Sequence, residues 1–279
     1  MPELPEVETV VRGLREKIAG LTLDRVTCRH PKINHDNPRH WCRSLAGRQV
    51  FDVRRRGKNI LIDLSGGLTL WVHLKMTGHF HLPAADTLPG RHDLVCFDLR
   101  DQECQLRFQD TRRFGRVRLL PTATVMEQKG LADLGPEPLE IDRSDFAARV
   151  QRSARMIKPA LLDQRFLAGI GNIYADESLF RAKIHPRQRT CDLSLPRINA
   201  LHAAIREILT TAIANMGTTV DSYAGINGEA GGFQTYLQVY GRAKQPCPRC
   251  GAAIRREVIG SRSAHFCPRC QRLTPRRRR

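Results

Sequence analysis

The chain lacks any run of about 18 apolar residues, which excludes a membrane-spanning helix. It also lacks a secretory opening: MPELPEVETV carries acids where a signal peptide needs bases, so secretion is not expected. Nine cysteines without such a signal argue for a reducing compartment and against a disulfide scaffold. No internal repeat is present. Acidic residues are scarce, 28 Asp+Glu against 46 Lys+Arg, a formal charge of +18 on 279 residues. With 41% hydrophobic and 27% charged residues the chain is not a disordered one, and its length allows two domains with buried cores.

What is there is unevenly placed. Residues 238–279 hold 12 Lys+Arg and one acid, Glu257, or +11 of the +18. So dense an excess attracts a polyanion, with nucleic acid the leading partner and a basic surface kept for solubility the plainer one. Residues 3–20 read as a helix, because Leu4, Val7, Val11, Leu14 and Ile18 recur at helical steps and Gly20 can end the run. QVFDV, NILIDL, LTLWVHL, DLVCFDL and CQLRF then read as strands of a sandwich or barrel. Gly57, Gly66-Gly67, Thr77-Gly78, Pro89-Gly90 and Asp101 mark the turns between them. After a loop around Pro136 and Pro138, helices are expected at about 143–153, 157–163, 172–181 and 196–215.

Cys247, Cys250, Cys267 and Cys270 form two Cys-x2-Cys knuckles sixteen residues apart, the spacing of a structural Zn²⁺ site. Four thiolates leave no open coordination position, so one zinc holds a fold and does no chemistry. GAAIRREVIGSRSAHF between the knuckles reads as a β-hairpin with Arg262 near its turn. The other five cysteines, 28, 42, 96, 104 and 191, show no spacing and are expected to be buried small residues. At the other end Pro2 follows the initiator Met. Removal of Met1 would leave a secondary amine able to attack an electrophilic carbon, with Glu3 and Glu6 beside it. Proline and acids in a first turn are equally the ordinary start of a helix.

Taken in order, MPELPEVETV, HLKMTG (73–78), DTRRFG (110–115), LGPEPL (134–139), GIGNIYADE (169–177), VYGR (239–242) and the cysteine module closely resemble the bacterial formamidopyrimidine-DNA glycosylase family. The resemblance runs from residue 2 to about 272. It implies an α+β protein: an N-terminal helix plus β-sandwich catalytic domain (1–125), a helix-two-turn-helix domain with a lesion-capping loop (126–237), a zinc finger (238–272) and a basic tail (273–279), with DNA in the cleft between domains. It further implies a cytoplasmic, monomeric repair enzyme acting on damaged double-stranded DNA. Such an enzyme removes 8-oxoguanine and formamidopyrimidines through a Schiff base, then cuts by β,δ-elimination.

Residue by residue, Pro2 matches the nucleophile, Glu3 the acid that opens the sugar ring, Lys58 the β-elimination lysine and Arg262 the δ-elimination arginine. A base must leave the stack to be reached, and Met76, Arg112 and Phe114 match the side chains that fill the hole. Core packing is the plain alternative for Met76 and Phe114. His92, Arg113, Lys158 and Asn172 match DNA contacts, although Lys158 reads equally as a solvated helix lysine. Glu6, Thr218, Thr219 and Tyr223 match the lesion pocket, with Glu6 also readable as a helix-start acid. The chain departs from the family at Lys75, Ala154 and 221–233. At Ala154 the missing contact falls to Arg152 or Arg155, and at 221–233 lesion preference is left open. Oxidised pyrimidines, a non-catalytic binder of damaged DNA and a zinc-ribbon RNA binder are the competing readings.

Overall fold

The apolar stripe that opens the sequence becomes α1 (Leu4–Ile18), with Leu4, Val7, Val10, Val11, Leu14 and Ile18 all buried. Pro5 in its first turn and a reciprocal capping box between Glu3 and Glu6 fix where it begins. These features belong to a computed structural model describing residues 1–33, 37–219, 226 and 230–274. The chain forms two units, Met1–Ala132 with Asn215–Gly232, and Asp133–Ala214 with Phe233–Arg279.

The first unit is built on eight antiparallel strands: β1 (Thr22–Cys28), β2 (Arg48–Arg56), β3 (Asn59–Leu64), β4 (Leu68–His73), β5 (His79–His81), β6 (Asp93–Leu99), β7 (Gln105–Gln109) and β8 (Arg116–Pro121). Their order is β5-β7-β6-β1-β2-β3-β4-β8. Only Thr22–Gln49 and Leu23–Arg48 pair β1 with β2, so the ladder is two four-stranded halves joined at a narrow seam. Burial of β3 and β6 is nearly continuous, as for strands covered on both faces. One core gathers α1 with Val50, Val53, Ile60 and Ile62 of one half and Val95, Phe97, Leu106 and Phe108 of the other.

Three strands and a helix escaped the sequence reading. β5 has three residues, and β1 and β8 interleave charged positions with apolar ones. The helix, α2 (Pro38–Leu45), buries only Trp41 and Leu45; Asn37 caps it by accepting from Arg39 N at 3.0 Å. The expectation of five buried cysteines needs correction, since only Cys96 is buried. Cys28, Cys42, Cys104 and Cys191 are half-buried, at a strand end, on α2, beside a strand start and in a short turn, where one side faces solvent.

The second unit holds α3 (Arg143–Arg152), α4 (Ile157–Leu162), α5 (Asn172–Arg181) and α6 (Leu195–Ala214). Asp142 caps α3 through Asp145 N at 2.8 Å. α6 buries Ile198, Leu201, Ile205, Leu209 and Ala212 at helical steps. The hairpin between the cysteine knuckles is β9 (Arg255–Ile259) with β10 (Arg262–Phe266), turning at Gly260-Ser261. No helix among the described residues is long and apolar enough to cross a membrane.

Candidate active site and zinc centre

In the first unit Pro2 is half-buried, while Glu3 and Glu6 are buried at the head of α1. Glu6 is engaged at both carboxylate oxygens. Its Oε2 accepts from Glu3 N at 2.8 Å, and its Oε1 accepts from Thr218 N, also at 2.8 Å. It is therefore both a helix cap and a latch for Gly217-Thr218. Gly217 has φ +74°, and a Cβ there would lie 2.6 Å from Glu6 Oε1, which explains the glycine. Thr219 accepts from Gly231 N at 2.7 Å. Tyr223, most of the loop expected to cap a lesion, and Arg276–Arg279 lie outside the described residues.

Lys58 is buried in the two-residue turn between β2 and β3, after Gly57 at φ +57°. Arg55 braces this turn, donating to Gly57 O at 3.0 Å while bound to Glu8 at 2.9 Å. Partial burial works against ionisation of Glu8, but hydrogen bonds from Arg12 and Arg55 hold its carboxyl below the ordinary value. His73, at the end of β4, is pushed down to about 3, by burial first and then by the charges of Lys75 and Lys58. Its neutral Nδ1 accepts from Lys75 N at 3.0 Å.

A pH dependence follows from His73. Between about pH 6.5 and 3 the unfolded chain takes up a proton that the folded one refuses, so stability falls as pH falls through that window. From pH 7 to 5 the wild type is expected to lose about 1–2 kcal/mol more than His73→Gln in urea titrations. Equal losses would remove His73 as the cause.

The segments HLKMTG and DTRRFG carry the expected void fillers. Met76 is 41% and Phe114 49% exposed, so neither packs in the core. The exposed Arg112 guanidinium lies 4.8 Å from the Phe114 ring centroid. Arg113 is exposed and lies 3.5 Å from His30 Nε2. His92 is half-buried, and its Nδ1 has no partner among the described residues.

In the second unit Arg262 opens β10 and is exposed. The strand behind it is anchored inward. Lys158 donates to Asp176 and to Ser263 O, and Asp176 Oδ2 accepts from His265 N at 2.9 Å. Lys158 is fully buried, which corrects its reading as a solvated helix lysine. Asn172, the first residue of α5, donates to Ser263 Oγ at 3.3 Å, and its buried Oδ1 has no partner among the described residues. Near Ala154, Arg155 is engaged by Asp163 at 2.7 Å while Arg152 stays exposed. Removing one partner of the Lys158–Asp176 pair strands a buried charge, so Lys158→Met is expected to cost about 3–5 kcal/mol in chemical unfolding. The double variant Lys158→Met/Asp176→Asn should recover part of that; no recovery would mean the pair is not the anchor.

The four Sγ atoms of Cys247, Cys250, Cys267 and Cys270 all lie within 4.8 Å of one another, with 3.9 Å for Cys247–Cys270 and 3.5 Å for Cys250–Cys267. A tetrahedron of Zn–S bonds of about 2.3 Å has edges of about 3.8 Å, so the set fits zinc. Arg249 N and Cys270 N each point at a knuckle sulfur at 3.4 Å, an outer shell for charged thiolates. Without a cation the thiols resist ionising together: Cys270 is pushed up to about 12 by burial and by the neighbouring thiols. Ile254 and Val239 share a small cluster with Phe180 of α5, so the module borrows its core and relies on one structural zinc ion.

Sequence and structure comparisons agree with this geometry. The profile of the formamidopyrimidine-DNA glycosylase N-terminal domain matches residues 1–117, that of the family's H2TH domain residues 134–224, and that of the zinc finger found in FPG and IleRS residues 244–273. Formamidopyrimidine-DNA glycosylase of Pelotomaculum thermopropionicum is 46% identical over 98% of this chain and 100% of its own length. That of Herpetosiphon aurantiacus is 44% identical over 97% and 100%. A mutant of Lactococcus lactis FPG in complex with Fapy-dG DNA superposes with a TM-score of 0.91, and the wild-type L. lactis FPG in complex with DNA containing an oxidised pyrimidine with 0.90. Both are 36% identical over 97% of this chain and 100% of theirs. With profiles covering both units and relatives matched end to end, the chain belongs to the formamidopyrimidine-DNA glycosylase family.

Proposed function

We propose that this protein is a DNA glycosylase of oxidised-base repair that excises 8-oxoguanine and formamidopyrimidines from duplex DNA and then cuts the strand as a lyase. The observation that carries the reading is Pro2 at the head of α1, beside buried Glu3 and a Glu6 latched to Thr218. While Met1 is attached the Pro2 nitrogen is an amide. Loss of Met1 frees a secondary amine that titrates near 7.7–8.0, low enough to be partly neutral at working pH.

In the proposed reaction that amine attacks C1′ as the bond to the damaged base breaks, and Glu3 protonates the ring oxygen so that the sugar opens. The resulting iminium makes the neighbouring C–H acidic. Elimination assisted by Lys58 then releases the 3′ phosphate, and a second elimination assisted by Arg262 releases the 5′ phosphate, leaving a one-nucleotide gap. Met76, Arg112 and Phe114 fill the space left by the extruded nucleotide. Glu6, Thr218 and Thr219 belong to the lesion pocket. His92, Arg113 and Asn172 contact phosphates, and Lys158 serves that binding indirectly, by anchoring the strand that begins at Arg262. The enzyme works as a monomer in the bacterial cytoplasm, and zinc keeps the hairpin folded.

Oxidised pyrimidines are a second substrate class, favoured by the oxidised-pyrimidine DNA bound to the L. lactis relative. Cleavage of duplexes carrying 8-oxoguanine opposite C, against duplexes carrying an oxidised thymine, ranks the two. Borohydride trapping of the Met1-processed protein on lesion DNA, followed by peptide mapping, is expected to place the cross-link on Pro2. A nick without any cross-link would defeat the Schiff-base reading.

A further inference from the structure

The side chains read as void fillers sit on two separate segments, 74–78 with Met76, and 110–115 with Arg112 and Phe114. Asp110 joins them and is fully buried. Its Oδ1 accepts from the Thr77 hydroxyl and from Arg112 N at 3.1 Å, and its Oδ2 accepts from Gly115 N at 2.7 Å. The Thr77 hydroxyl oxygen also lies 3.2 Å from Arg112 N. Asp110 N donates to His92 O at 3.0 Å, which ties the segment back to the start of β6.

Both segments rest on one ring. Phe108 is fully buried and meets Phe80 edge-on at 5.2 Å. A Cβ at Gly78 would come within 2.9 Å of the Phe108 ring and 2.5 Å of Leu74 O, and one at Gly115 within 2.6 Å of the same ring. Each segment also holds a non-glycine residue in the left-handed region, Lys75 and Arg113, both at φ +57°. Burying a carboxylate among neutral donors is an expensive way to gain stability. Its return is geometry: three charge-assisted hydrogen bonds hold two segments in one arrangement.

We infer that Asp110 is a positioning residue for base extrusion. It clamps the two segments so that Met76, Arg112 and Phe114 are set for insertion before DNA arrives, and their ordering is not charged against the step that opens the base pair. The inference rests on the void-filling assignment proposed above.

The test uses the full-length, Met1-processed protein in single-turnover assays on two substrates: 8-oxoguanine paired with C in a duplex, and an abasic site in a single strand, where nothing has to be unstacked. Thr77→Val keeps the side-chain volume and removes a clamp hydroxyl; Asp110→Asn removes an acceptor. Both are expected to lose about 10–100-fold on the duplex and to stay within about threefold on the single strand. A 2-aminopurine beside the lesion should report slower unstacking. In a Met76→Ala/Arg112→Ala/Phe114→Ala background the Thr77→Val penalty should vanish, because no void-filling side chain remains to be positioned.

If Met76→Ala/Arg112→Ala/Phe114→Ala has no duplex-selective loss, the void-filling assignment falls and takes this inference with it. If that variant is impaired but Thr77→Val is not, the clamp alone is refuted. The same holds if Thr77→Val loses equally on both substrates, or if its penalty persists without the void fillers. Should Asp110→Asn fail to fold, Thr77→Val decides the matter.

Discussion

Pro2→Gly is expected to lower base excision at least about 100-fold while leaving affinity for lesion DNA within a few-fold. Glycine still offers an amine once Met1 is gone, but a primary one, on a residue free to rotate about φ. It would form a neutral imine unless protonated, whereas proline must form a charged iminium that draws electrons from the sugar. Proline also fixes the backbone leading into α1, where Glu3 and Glu6 are already capped and buried. Binding should survive because the side chains proposed to fill the void and contact phosphates are untouched. Single-turnover excision, borohydride trapping and a binding titration separate these quantities, with intact mass confirming that Met1 has gone. Near-normal turnover would show that another group is the nucleophile.

The second large effect concerns the metal. Cys267→Ser, or removal of zinc by a chelator, is expected to unfold the module from about residue 244 onward. Metal binding in small Cys-rich modules contributes on the order of 10–16 kcal/mol, comparable to a domain's whole stability of about 5–15 kcal/mol. The module's own cluster is small: Val239, Cys247, Ile254 and Cys267 around Phe180. Arg262 would then lose its place at the head of the hairpin, and the Lys158–Asp176 anchor would lose Ser263 and His265. The expected result is a fall in DNA affinity and in the final elimination, with the α1 and sheet unit still folded by circular dichroism. Unchanged metal content and unchanged binding in Cys267→Ser would contradict the structural role of the site.

Features carried by local spacing were legible in the sequence. The helical stripe of α1, the four main helices of the second unit, the cysteine knuckles and the hairpin between them all follow from positions within a few residues of one another. The exposure of Met76 and Phe114 agrees with the motif reading over core packing. Contacts made across the sheet or across the chain were not legible. Nothing local says that Asp110 reaches Thr77, that Lys158 is buried against Asp176, or that Arg55 links Glu8 to the turn holding Lys58. A buried polar residue reads in sequence like an exposed one, and only the partner that folding brings to it reveals the difference. DTRRFG and RRRGKNIL singled out these segments in the sequence, but not the carboxylates that brace them.

The bond between Glu6 and Thr218 spans 212 residues. A ribosome adding about 5–20 residues each second needs roughly 10–40 s between delivering the first partner and the second. Helix α1 and the whole strand ladder can settle in that interval, but the latch over the chain's leading end cannot. The earliest-made portion of this polypeptide thus waits on residue 218 for one of its bonds, and a translation product that stops short of that residue lacks the latch however well its sheet has formed.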